Sequence, residues 1–174
     1  MMRGRAQVKA RTVSTGSSGL SAPFLLRFLA RSTASKARGK HPFAALIVDD
    51  RDEVLAEAGN VFGWPDGDAT GHAELIAVRE ASRRFPPTRL AQATLYSSAE
   101  PCAMCAGAVY WAGLGRVVYA LSEARLRTLT GDHPANPTLA LPCREVFARG
   151  QRVIVVVGPL LEAEAAAPRL GFWG

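Results

Sequence analysis

His72-Ala73-Glu74 is followed, 27 residues on, by Pro101-Cys102-Ala103-Met104-Cys105. One imidazole and two thiols make three ligands for zinc. Three is the number a catalytic zinc site uses, because water then holds the fourth position. Cys102 and Cys105 lie one helical turn apart, so both sulfurs can face one point. Each motif falls where a helix begins, and the partial positive charge of a helix start favours thiolates. Cys-x-x-Cys alone would equally suit a redox motif or half of a structural zinc site. A structural site wants four ligands, and no good fourth is present: Cys143 lies far along the chain and His133 sits in a polar loop. Glu74, two residues past His72, can reach a metal-bound water without itself binding the metal.

The pattern on either side of these motifs predicts alternating strands and helices. Phe24, Leu25, Phe28 and Leu29 share one face of a helix from Pro23 to about Ala34. Phe43 to Val48 reads as a strand, Asp49-Asp50-Arg51-Asp52 as a turn, and Glu53 to Ala58 as the returning strand of a hairpin. Residues 59–71 read as loop. The helix opened by His72 runs to Phe85, where Pro86-Pro87 stops it. Thr94 to Ser97 is a strand, Cys102 to about Ala112 a helix, and Arg116 to Ala120 a strand. Ser122 caps a short helix. A short helix at Arg144 to Ala148, a strand at Val153 to Val157 and a helix from Leu160 to about Ala167 complete the chain. The order predicts an α/β fold, a three-layer α/β/α sandwich around a central five-stranded mixed sheet. The connection between the last two strands is long enough for a parallel crossover.

Composition narrows the class. A chain of 174 residues, 48% apolar with mean hydropathy +0.06, fits one soluble domain with a proper core. No apolar run approaches the ~18 residues of a membrane span. The net charge of +6 is unevenly spread: residues 1–40 hold nine basic side chains and no acidic ones, leaving 12 basic against 15 acidic in the rest. The mildly acidic remainder argues against a broad phosphate-binding footprint. The basic segment could be a nucleic-acid arm, an Arg- and Ser-rich targeting peptide, or a disordered leader; residues 1–20 are read as the last. Three cysteines make no disulfide framework, and reduced thiolate ligands point to the cytoplasm.

Asp68-Ala69-Thr70-Gly71-His72-Ala73-Glu74 and Leu95-Tyr96-Ser97-Ser98-Ala99-Glu100-Pro101-Cys102-Ala103-Met104-Cys105-Ala106-Gly107-Ala108 resemble the two motifs of the cytidine deaminase superfamily. His41-Pro42-Phe43-Ala44-Ala45 resembles a third stretch, with Ala44 where Gly is common. Within the superfamily the chain is most similar to the branch of guanine deaminases, fungal-type cytosine deaminases and tRNA adenosine deaminases. The resemblance spans about residues 41–174. It implies a cytidine deaminase-like fold whose last two strands are parallel, with residues 21–174 as one zinc-dependent deaminase domain. It implies one Zn2+ held by His72, Cys102 and Cys105, and a zinc-activated water attacking the amine-bearing ring carbon while Glu74 shuttles protons.

For substrate contacts the resemblance points to the Asn60 side chain, the Ala73 N–H and the Ala99 carbonyl. Aromatic residues near the C-terminus fold over the base in guanine and cytosine deaminases, which makes Phe172 and Trp173 candidate lid residues; core packing is the plainer reading of that pair. Asp132 could read an amino or ring N–H, or belong to a plain turn. Tyr110-Trp111-Ala112 is similar to guanine deaminases. The Lys- and Gly-rich segment and basic C-terminal tail of tRNA adenosine deaminases have no counterpart here. The resulting expectation is a free nucleobase or nucleoside deaminase, guanine first. Cytosine, another aminated heterocycle such as a triazine or pterin, and adenosine in tRNA are the alternatives. A homodimer without nucleic-acid or membrane partners is also implied.

Overall fold

The computed structural model describes residues 22–62, 67–131 and 133–173. The expected leader at residues 1–20 lies outside them. The elements are α1 (Ala22–Ala37), β1 (Ala44–Val48), β2 (Val54–Gly59), α2 (Ala73–Arg84), α3 (Pro87–Leu90), β3 (Thr94–Ala99), α4 (Ala103–Ala112), β4 (Arg116–Leu121), α5 (Glu123–Thr130), α6 (Cys143–Ala148), β5 (Val155–Val157) and α7 (Glu162–Ala166). The five strands form one sheet in the order β2-β1-β3-β4-β5. β1 is antiparallel to both β2 and β3; β3, β4 and β5 run parallel. The mixed sheet and its parallel last pair agree with the sequence reading.

Alternate side chains along each strand face opposite layers. Ala45 and Ile47 of β1, Leu95 of β3 and Val117 of β4 meet Ala77, Val78, Val109 and Phe147, from α2, α4 and α6. Leu46 and Val48, Tyr96 and Val118 turn the other way, to Leu25 and Phe28 of α1, Leu126 of α5 and Ala165 of α7. Helices on both faces bury all five residues of β1. A strand covered on both sides reads as a continuous apolar run, as Ala44-Ala45-Leu46-Ile47-Val48 does.

Several boundaries differ from expectation. α1 continues to Ala37. α3 was not anticipated; Pro87 starts it because its fixed φ suits a first helical turn and its missing N–H costs nothing there. β5 spans only Val155–Val157, and Val153, 89% exposed, lies outside the ladder. β5 pairs with β4 alone, so nothing extends it further. α7 ends at Ala166 and gives way to a 3-10 turn, Ala167–Arg169, containing Pro168.

The β1–β2 hairpin is fastened by Asp49. Its Oδ1 accepts from Arg51 N–H (3.0 Å) and Glu53 N–H (2.9 Å), and its Oδ2 accepts from Arg89 (2.6 Å). The Asp49 side chain is only 1% exposed. Asp49→Ala should therefore cost about 2–4 kcal/mol in urea unfolding, because the Arg51 and Glu53 N–H groups and the Arg89 guanidinium lose their acceptor. Val153→Ala, on the exposed residue, should stay within about 0.5 kcal/mol.

Candidate active site and metal centre

Two helix starts converge on one point. The loop after β2 is drawn tight by Asp68, whose Oδ1 accepts from the N–H and hydroxyl of Thr70, each at 2.8 Å. A Cβ at Gly71 would lie 2.5 Å from Val61 Cγ2 and 2.9 Å from the Asp68 carbonyl oxygen, so only glycine fits there without a shift. His72 follows in extended conformation and is the N-cap of α2; Cys102, also extended, is the N-cap of α4. Neither side chain caps its helix. Both are left free to face each other, and α2 packs on α4 across one face of the sheet.

The sulfurs of Cys102 and Cys105 each lie 3.6 Å from His72 Nδ1. The three ligand atoms are within 4.8 Å of one another. A tetrahedral zinc with Zn–S of about 2.3 Å and Zn–N of about 2.0–2.1 Å requires an S···N separation of about 3.6 Å. The residues therefore fit zinc in spacing as well as in chemistry. Among the described residues this is the one such cluster, and it supplies three ligands. The trio is electrostatically coupled. The Cys105 thiol, followed by His72, holds Cys102 down at a pKa of about 4. Cys102 in turn raises His72, and Cys105, as the donor to Cys102 and deeply buried, is pushed up.

Glu74 is 5% exposed, in the first turn of α2. Ser97, on the β3 face turned to that helix, donates to its Oε1 at 2.6 Å. Burial raises the Glu74 pKa, against the opposing pull of His72 and Ser97. The carboxylate sits 3.9 Å from Cys105 Sγ but outside the ligand cluster.

These groups open on a cavity of about 290 Å³, at the small end for ligand pockets. His72, Glu74 and Cys102 line it together with Asn60 and Ala99. Asn60 is oriented without ambiguity: its Oδ1 accepts from the Phe62 N–H at 2.6 Å, so its NH2 is the free end. Cys105 and Ala73 are fully buried and stand behind the wall. Ala73 is the first residue of α2, where a backbone N–H has no intrahelical acceptor.

Phe172 and Trp173 are one layer further out. Their rings lie 5.6 and 5.4 Å from His41, which itself lines the cavity. They buttress the wall in this structure and do not form its surface. Asp132 lies outside the described residues.

The sequence reading did not single out His41, Phe62, Glu123 or the stretch Ala135–Pro137 as cavity wall. They come from four separate segments, and no local spacing links them. Ser97 was quoted only within its motif; two adjacent serines inside a buried strand were the signal for it.

Purified protein should carry about one zinc per chain, and Cys105→Ala should reduce this below about a tenth, measured by elemental analysis. Cys143→Ala should retain zinc: burial raises that thiol to a pKa of about 12, and it lies outside the cluster. Loss of zinc from Cys143→Ala in a protein that still folds would contradict the three-ligand assignment.

Comparison with known proteins agrees with this geometry. Residues 24–121 match the family described as "Cytidine and deoxycytidylate deaminase zinc-binding region". A "Probable cytosine deaminase" of Schizosaccharomyces pombe is 42% identical over 144 residues, covering 82% of this chain and 85% of that protein. A "tRNA-specific adenosine deaminase" of Haemophilus influenzae is 37% identical over 111 residues, 60% of this chain and 64% of that one. The solved guanine deaminase from Nitrosomonas europaea superposes with a TM-score of 0.70 at 28% identity, covering 86% of this chain and 84% of that one. With its ligand trio, buried glutamate and mixed sheet, the chain belongs to the zinc-binding cytidine and deoxycytidylate deaminase family, hydrolases that break C–N bonds.

Proposed function

We propose that this protein deaminates a free nucleobase that carries a ring carbonyl as well as the amine, with guanine and cytosine as the two candidates. The observation that carries this reading is the fixed Asn60 amide. Its open NH2 can only donate. Guanine and cytosine both present a carbonyl oxygen to such a donor; adenine has none. The small cavity suits a single heterocycle. The Schizosaccharomyces relative, matched over most of both chains, puts cytosine beside guanine as a substrate to be tested first.

In this reading His72, Cys102 and Cys105 hold zinc. When bound, the metal acidifies water at neutral pH and stabilises charge developing on the reacting oxygen. Glu74 moves the protons: it accepts one from the attacking water and delivers it to the ring nitrogen, then carries the remaining hydroxyl proton to the amine, which departs as ammonia. Its raised pKa suits a group that must both take and give a proton, and Ser97 fixes the carboxylate for the task. Asn60 orients the carbonyl, and Ala99 offers its backbone oxygen to the amine. His41, Phe43 and Phe62 close the apolar wall, with Phe172 and Trp173 behind them.

The protein works as a homodimer in a reducing compartment, the cytoplasm. On α4, Met104 (37% exposed), Gly107, Ala108 and Trp111 (81% exposed) lie at helical spacing on one face, an apolar stripe suited to a second copy. Among the described residues no helix is long and apolar enough to cross a membrane.

Ammonia release from guanine, cytosine, their nucleosides and a tRNA anticodon stem-loop tests the substrate reading. Glu74→Gln should lower kcat by about 10²–10⁴-fold with zinc retained. Asn60→Ala should lower kcat/KM by about 10-fold or more. Activity on the RNA alone would overturn the proposal. Trp111→Glu should shift the species seen in sedimentation from dimer to monomer; an unchanged dimer would place the interface elsewhere.

A further inference from the structure

Most polar groups around the cavity already have partners. Glu100 accepts from the Cys143 N–H at Oε1 (3.0 Å) and from the Glu123 N–H at Oε2 (3.1 Å), which ties the starts of α6 and α5 to the end of β3. Glu74 is held by Ser97, and Asn60 by the Phe62 N–H.

Glu123 differs. It is the first residue of α5, half-buried, and lines the cavity. Its backbone N–H is used, but its carboxylate has no hydrogen bond or ion pair to any described residue. The charges that bear on it most are those of Cys102, Glu100 and Glu74, all of its own sign, with His72 opposing them more weakly. Burial first, and then those charges, lift its pKa to about 7. A carboxylate partly withdrawn from water without a protein donor is unfavourable, and the cavity it lines is a space from which a donor can come.

The chemistry of the base says which donor that is. In the reading above, the amine-bearing carbon and its neighbouring ring nitrogen face the zinc ligands and Glu74, and the carbonyl faces Asn60. In cytosine one hydrogen-bearing ring nitrogen is then left, the one that carries the sugar in a nucleoside. The corresponding nitrogen of guanine likewise carries hydrogen only in the free base. Asn60 follows β2 at the sheet edge, and Glu123 follows β4 on the other side of β1 and β3. A donor and an acceptor thus enter the cavity from different parts of the sheet.

Resting on that base-deaminase reading, we infer that Glu123 is a specificity-determining residue whose carboxylate accepts the glycosidic-position N–H of a free base. The cavity thereby selects bases over nucleosides. A nucleoside replaces that N–H with a C–N bond and leaves the carboxylate unpaired.

The test compares guanine with 9-methylguanine and cytosine with 1-methylcytosine on the zinc-loaded protein. kcat/KM is measured for wild type and Glu123→Ala, and calorimetric Kd in the Glu74→Gln background with and without Glu123→Ala. Zinc content and Tm are recorded for every variant. The wild type should favour the unmethylated base by about 10- to 100-fold, the loss expected for a hydrogen bond to a charged acceptor. In Glu123→Ala the ratio should fall toward one. A purely structural role for Glu123 would weaken both ligands alike and leave the ratio unchanged, which would overturn the inference. Equal handling of both ligands by the wild type would overturn it too, while leaving the base-deaminase reading standing. Failure of the wild type to bind or turn over any of these bases would remove that reading and this one together.

Discussion

The structure depends on bringing two helix starts to one point. α2 and α4 follow β2 and β3, which flank β1 in the sheet, and both helices pack on the same face. Their N-cap positions are usually given to Ser, Thr, Asp or Asn, whose side chains cap the helix. Here His72 and Cys102 occupy them and cap nothing. The capping energy is forgone, and two side chains are released toward a shared site. Cys105, one turn into α4, completes it. The helix starts add positive potential where thiolates must exist, so backbone and metal favour the same ionisation state.

A second layer holds this geometry in place. Adjacent serines on β3 face opposite sides of the sheet. Ser97 supports Glu74, while Ser98 accepts from Ala44 N–H (2.9 Å) and from Arg169 (3.0 Å). Arg169 is 1% exposed, also donates to the Ala165 carbonyl, and lies over the Phe43 ring at 4.8 Å. That anchor fixes the segment leading to Phe172 and Trp173, which press on His41 from behind. Glu100 performs a similar service for α5 and α6, and through α5 it places Glu123. The reactive groups are thus held by Ser97, Ser98 and Arg169 from behind the cavity wall and by Glu100 within it.

The metal ligands and Glu74 were legible in the sequence because they are local: two short motifs, each at a strand-to-helix turn, with ligand types and spacing that suit zinc. The layered sheet was legible because strands and helices alternate along the chain and β1 is a continuous apolar run, as a strand covered on both faces must be. The cavity wall was not. His41, Phe62 and Glu123 come together only through the sheet order β2-β1-β3-β4, which no local pattern encodes. For Phe172 and Trp173 the sequence left lid and core packing open, since an aromatic pair carries no mark of whether it meets ligand or core; in the structure their rings pack on His41. β5 was read too long because Val153 is as β-prone as its neighbours, and only the missing partner strand excludes it.

X-ray absorption at the zinc edge of the purified protein addresses the three-ligand centre most directly. Two sulfurs at about 2.3 Å and two nitrogen or oxygen atoms at about 2.0–2.1 Å are predicted, one of the latter replaceable when a base is added. A third sulfur, or a light-atom shell unchanged by the base, would contradict an open catalytic zinc held by His72, Cys102 and Cys105.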